Sequence, residues 1–300
     1  MRYLLIGGSS YSGQCTIEAI RSQTSRRENE EAVIVSTSSG ERQVIGADYT
    51  IPNIDLAKAD APDRLAAAYG EWERGPGAAA VGQAGAIAAL SFIPARGEVG
   101  LPARLATAEQ GAAVVDYCIR PMLRMMDLLK PELTVCFSGF ITMEPLMQVY
   151  GAMTYVKLAM EDFVIQHRDR LRAIRFGLFP SASVRGIGLL VQRNAMRKVY
   201  PEVAEMYDEW KASGKKFLEY FYEKCYRFEE DAYRHVHSAP FRPTEEKDIV
   251  RGVQLALAPE TTAPIVNVLG SWLWTDEVMP ELPPIIQERM ELMPTDLRLA

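Results

Sequence analysis

Cysteine, histidine, long apolar runs and a basic excess are all scarce in this chain, and each scarcity excludes something. Cysteines stand only at Cys15, Cys118, Cys136 and Cys225, with no C-x-x-C pair, so they read as reduced thiols without a disulfide framework or a redox role. His235 and His237 form an H-x-H pair, but no Cys, Asp or Glu cluster at metal-ligand spacing completes a site around them, and no metal is expected. Apolar runs are broken by Gly, Pro or charge well short of the roughly 20 residues a membrane-spanning helix needs. The opening MRYLLIGGSSYSG has one Arg and a brief apolar run that breaks into glycines. That is a poor signal peptide and a good buried strand, so the expected location is the cytoplasm and no membrane partner is expected. With 33 Lys+Arg against 39 Asp+Glu, the net charge of -6 argues against a general nucleic-acid or anionic-membrane binder.

What is present is a chain of 300 residues, 48% of them hydrophobic, enough for a sizeable core. Residues 1–300 are read as a single domain. Strands are expected at 3–6, 32–36, 47–55, 86–92, 133–137, 172–178 and 264–269. Helices are expected at 14–22, 61–72, 106–129, 144–168 and 245–257. The polar stretch 23–31 is read as a connection, and the Ala/Gly-rich segment 75–88 has no assignment. Residues 184–237 form a long helical insertion with aromatic and charged faces. Seven strands alternating with helices predict an α/β fold: an open, mostly parallel, doubly wound sheet with that insertion near the C-terminal part.

In such a sheet ligands bind beyond the carboxyl ends of the strands, and the first strand-to-helix turn is the usual phosphate cradle. Here the turn reads G-G-S-S-Y-S-G, with Gly7, Ser9, Ser10, Tyr11 and Gly13 as candidate cofactor contacts. An ordinary tight turn is the competing reading. The second strand ends without the acidic residue that would hold the ribose of NAD, whereas Ser38 and Arg42 can accept a 2′-phosphate. NADP is therefore the expected cofactor, with NAD as the alternative.

Near the middle of the chain, Tyr150, Met153 and Lys157 fall on one face if the helix is continuous, at about 100° per residue. A phenol beside an ammonium can stabilise an oxygen that becomes negative as hydride arrives, and the ammonium would favour the phenolate. Tyr155, two residues from Lys157, faces away from it.

These features together are similar to the short-chain dehydrogenase/reductase superfamily over about residues 1–272. The resemblance rests on G-G-S-S-Y-S-G after the first strand, Asp55-Leu56 after the third, F-S-G after the fifth, F-P-S after the sixth and I-V-N-V-L-G near the end. Gly7 and Gly13 match the family's first and last turn glycines, while Tyr11 occupies the middle one. The Y-x-x-M-x-x-x-K spacing of Tyr150 and Lys157 resembles the enoyl-acyl-carrier-protein reductases of that superfamily. The resemblance implies a Rossmann-type sheet, Asp55 beside adenine, Ser91 and Pro180 along the cofactor, Ser138 where many members orient substrate, and Cys118 where many carry a relay Asn. It implies that Tyr150 stabilises the enolate or oxyanion of a small-molecule or carrier-linked acyl substrate, that Lys157 holds the cofactor ribose, and that the protein is a homo-oligomer. Two other readings stay open: a ketone or alcohol oxidoreductase using Tyr150 or Tyr155, and a non-reducing member acting in nucleotide sensing, cyclisation or dehydration. The aromatic insertion, with Trp210, Phe217, Tyr220, Phe221 and Tyr222, reads either as a lid over an acyl or aromatic substrate or as a helix pair packing on itself.

Overall fold

The computed structural model describes residues 1–24, 31–75 and 85–297. Part of the polar connection (25–30) and most of the unassigned Ala/Gly-rich segment (76–84) lie outside the described residues. An eight-stranded sheet forms the centre, in the order β3-β2-β1-β4-β5-β6-β7-β8. The strands are β1 Arg2–Ile6, β2 Val33–Thr37, β3 Tyr49–Ile51, β4 Ile87–Phe92, β5 Leu133–Gly139, β6 Leu171–Phe176, β7 Ile265–Leu269 and β8 Trp272–Asp276. All neighbours pair in parallel except β7 and β8, which form an antiparallel hairpin.

Every residue of β1, β2 and β7 is buried, as expected of parallel strands covered on both faces. Alternation then sorts the side chains by face. Leu4 and Ile6 join the large core beneath α2 (Ala61–Arg74), α3 (Ala108–Cys118) and α4 (Arg120–Leu129), whereas Tyr3 and Leu5 meet Ile17 and Ile20 of α1 (Tyr11–Thr24). Helix α3 starts at a capping box, Thr107 with Gln110, and α4 restarts the chain after a break at Ile119 with Pro121 in its first turn. The single helix expected over 106–129 is therefore two.

A second correction falls on the expected helix 144–168. It is a short turn, α5 (Glu144–Met147), and then α6 (Ala152–Gln166), separated at Gly151 by a φ of 50° and ψ of -135° that no helix contains. Tyr150 is thus not on the helix of Lys157, and the seven-residue face argument fails as geometry. After β6 the insertion is three helices, α7 (Ala182–Met196), α8 (Pro201–Ser213) and α9 (Phe217–Tyr233). Helix α10 (Glu246–Leu257) leads to β7, and the tail carries the short α11 (Pro284–Gln287). The expected sheet lacked β8, which here covers the edge of β7. Among the described residues no helix is long and apolar enough to cross a membrane.

Candidate active site

The turn after β1 is closed by its own side chains. Ser10 Oγ donates to the Gly7 carbonyl at 2.8 Å and accepts from the Gly13 N–H at 3.0 Å, which caps α1. A Cβ at Gly13 would lie 2.5 Å from the Gly7 carbonyl oxygen and 2.6 Å from Gly8 Cα, so only glycine lets the helix approach the turn this closely. No acidic residue stands in the first turn of α1 to oppose an anion at its positive end.

Beyond the carboxyl ends of β1, β4, β5 and β6 lies a cavity of about 650 Å³. Gly7, Ser9, Ser10 and Tyr11 line one end of it, and Ser138, Tyr150 and Lys157 line it as well. Its charged wall residues among the described residues are Arg96 and Lys157, with no carboxylate, which suits an anionic ligand. The remaining wall is largely apolar, with Ile141, Leu146, Met153, Val184 and Ile187. The residues present thus fit a pyrophosphate-bearing nucleotide at the turn and an apolar ligand beside Tyr150.

Tyr150 is placed by extended backbone. It forms an isolated parallel bridge with Leu101, flanked by Gly100 N–H to Val149 O at 2.5 Å and Gly151 N–H to Leu101 O at 2.9 Å. Asn194 of α7 holds the same loop through the Gly100 carbonyl at 2.7 Å. Burial pushes the Tyr150 phenol up to about 12, with Cys225 and Tyr222 of α9 acting in the same direction. The group is thus a neutral phenol at neutral pH. Lys157 is buried on α6 and donates from Nζ to the Phe137 carbonyl at 2.5 Å. The Ser138 hydroxyl donates to Glu161 of α6.

Other candidates lie elsewhere. Gly13, Ser38, Arg42, Asp55, Ser91 and Pro180 do not line this cavity. Ser38 is buried at the end of β2, where its backbone bonds to Ile51 and Ile54, and Arg42 is exposed. Asp55 accepts from the Ala57 N–H at 3.0 Å. A second cavity, of about 970 Å³, touches Leu56 and Ala57 beside it and shares Arg96 and Gly97 with the first. Ser91 is buried in β4, and Pro180 is exposed between the lining residues Phe179 and Ser181. Tyr155 is fully buried in the core under α6 and does not line the cavity, which removes it as the reacting phenol. Cys118 is buried and bonds the Arg96 backbone in both directions, at 3.4 and 3.5 Å, so it shapes the loop after β4.

Two contributors escaped the sequence reading. Arg96 joins both cavities, its guanidinium 5.6 Å from the ring centroid of Tyr117. Phe179 stacks on Tyr11 at 5.5 Å, bridging the glycine turn and the loop after β6. An Arg after a strand carries no pattern that marks it in advance, whereas Phe179 belongs to the F-P-S motif, which pointed to Pro180 rather than to the ring beside it. The insertion's aromatics cluster with one another and with Val149 and Leu178, while Ser183, Val184 and Ile187 are the α7 residues that reach the cavity.

No protein-family model matches the sequence, and none of the curated proteins is similar to it. Solved structures share the fold. Levodione reductase superposes with a TM-score of 0.53 over 90% of this chain and 96% of its own, at 14% identity. A short-chain dehydrogenase from Streptomyces avermitilis gives a TM-score of 0.52 over 89% and 88%, also at 14% identity. At such identity the likeness is one of fold: the chain has the α/β architecture of the short-chain dehydrogenase/reductase structures.

Proposed function

We propose that the protein is an NAD(P)H-dependent oxidoreductase that reduces an enoyl or carbonyl group on an acyl thioester or similar apolar substrate. The observation that carries this reading is a single cavity bounded at one end by the capped Gly7 to Ser12 turn and holding Tyr150 and Lys157 on its wall. A nicotinamide dinucleotide bound there would supply the hydride. First-turn N–H groups of α1 would hold its pyrophosphate, and Lys157 would reach the nicotinamide ribose. Tyr150, kept neutral by burial, would donate its Oη hydrogen toward the substrate oxygen as negative charge develops. Ile141, Leu146, Val184 and Ile187 would exclude water from that end.

NADPH is the preferred partner in this reading, because β2 ends in Ser36 and Thr37 and runs on into Ser38 without a carboxylate, and Arg42 follows in the next loop. A homo-oligomer in the cytoplasm belongs to the same proposal, with β8 rather than β7 as the edge strand. One observation favours a non-reducing relative: the Ser138 proton is held by Glu161, which leaves Tyr150 as the single neutral acid among the three residues singled out for the chemistry.

Calorimetric titration with NADPH and NADH in parallel tests the reading. Micromolar binding, tighter for NADPH, is expected; Tyr150→Phe should keep that binding and lose turnover, and Lys157→Ala should weaken both. No binding of either nucleotide would overturn the proposal, and nucleotide binding without turnover on thioesters or ketones would install the non-reducing alternative.

A further inference from the structure

Ser138 is the next-to-last residue of β5, half-buried, on the cavity wall. Its Oγ is hydrogen-bonded to Glu161 Oε1. Glu161 lies on α6 one helical turn after Lys157, and Arg175 of β6 grips it, with Nη2 to Oε2 at 2.7 Å and Nε to Oε1 at 3.3 Å. Arg175 reaches on to Asn267 Oδ1 at 3.0 Å and Asp276 Oδ2 at 3.1 Å. A carboxylate paired with a guanidinium offers acceptors alone, so the hydrogen in its bond to Ser138 is the serine's own. Serine has one such hydrogen. With that hydrogen committed to Glu161, the hydroxyl has only lone pairs left for the cavity.

We infer that Glu161 is a positioning residue that fixes Ser138 as a hydrogen-bond acceptor, so that the cavity selects a ligand bearing a hydroxyl donor over the matching carbonyl compound. A carbonyl oxygen opposite Ser138 would set acceptor against acceptor, while a hydroxyl completes the pair. In the proposed reduction the hydroxyl compound is the product and the ketone the substrate, so the inference, which rests on the reading above in this one respect, makes this a cavity that holds product more tightly than substrate. The selection itself needs only the cavity and the Ser138, Glu161, Arg175 chain.

The test uses the full chain and a matched pair of bicyclic ligands, 1-tetralol and 1-tetralone, titrated by ligand-observed NMR alongside NADH and NADPH. The alcohol is expected to bind about tenfold more tightly than the ketone, the value of one net hydrogen bond. Ser138→Ala should bring that ratio close to one. Glu161→Gln, whose amide can donate to Ser138 and release its hydrogen, should lower or reverse it, whereas a merely structural role would weaken both ligands alike and leave the ratio intact. Should Glu161→Gln fail to fold, Ser138→Ala carries the decision. Equal or tighter ketone binding by the unaltered protein, or a greater loss of ketone than of alcohol in Ser138→Ala, would overturn the inference. If neither nucleotide binds while the alcohol preference stands, the proposed function falls and the acceptor role survives. If nucleotide binds and the ketone is preferred, the acceptor role alone falls.

Discussion

Two carboxylates in this molecule are equally withdrawn from solvent, each 1% exposed, and their surroundings differ in kind. Glu161, under the chemical end of the sheet, has the Arg175 guanidinium on both oxygens and the Ser138 hydroxyl besides. Glu229, in α9, receives only the Leu178 N–H, at 2.5 Å on Oε1, and its Oε2 has no partner among the described residues. Burial therefore pushes the Glu229 carboxyl up to about 8, with the Leu178 bond offsetting part of the shift. Equal burial thus leads to opposite strategies. One site neutralises its charge with a partner and can present an ionised group near the cavity; the other avoids charge by keeping its proton.

The largest expected effect tests the unpartnered site. Glu229 has an ordinary value of 4.5 and a folded value near 8, so between those limits the unfolded chain has released a proton that the native chain retains. Stability is therefore fully present below about pH 4.5 and falls as pH rises toward about pH 8, by up to roughly 5 kcal/mol over the window. The neighbouring Cys225 and Tyr226 are both pushed upward by burial and by Glu229, and stay neutral in that range. Urea unfolding across the window should show the decline, and Glu229→Gln should flatten it. A slope unchanged by that substitution would mean that Glu229 titrates like a solvated carboxylate and that the contrast with Glu161 is not real.

Next in size is the removal of the partner that Glu161 has and Glu229 lacks. Arg175→Met strands a buried carboxylate and should cost about 3–5 kcal/mol in denaturant unfolding at neutral pH. A loss below about 1 kcal/mol would show that the ion pair contributes little beyond what the surrounding residues already supply.

The contrast also marks where sequence reading reached its limit. Strands β1, β2 and β4 to β7 were legible within about two residues because buried parallel strands are local apolar runs bounded by turn formers, whereas β3 has three residues, Tyr49–Ile51, where 47–55 was expected. Strand β8 was missed although Leu269 pairs directly with Trp272, leaving Gly270-Ser271 as a two-residue hairpin loop whose Gly-Ser signal was readable. The break at Gly151 was hidden because apolar positions recur on both sides of it, so a continuous helix seemed to join Tyr150 to Lys157. Those two residues nonetheless share the cavity, brought together by the Leu101 bridge, which no local pattern announces. Ser138, Glu161 and Arg175 come from three elements, with separations of 23 and 14 residues between bonded partners. Their individual letters are ordinary, and only the parallel pairing of β5 with β6 and the lie of α6 bring them into one chain of hydrogen bonds.

The smallest effect sharpens the comparison at its outer end. Asp276 is 32% exposed and accepts from Arg175 at 3.1 Å and from Asn267 at 2.9 Å, so it is a second, solvated anion for a guanidinium already paired with Glu161. Asp276→Asn keeps an acceptor at that position and removes a charge that water already screens, so the loss should be about 1 kcal/mol or less. The Glu161 and Ser138 bonds do not pass through it, and the preference for alcohol over ketone should therefore stay where it was. If Asp276→Asn instead cost as much as Arg175→Met, the guanidinium would owe its position to the exposed anion, and the buried pair would be its consequence rather than its anchor. Measuring both variants by the same urea titration separates these cases, because only the anchored arrangement predicts a gap of several-fold between their costs.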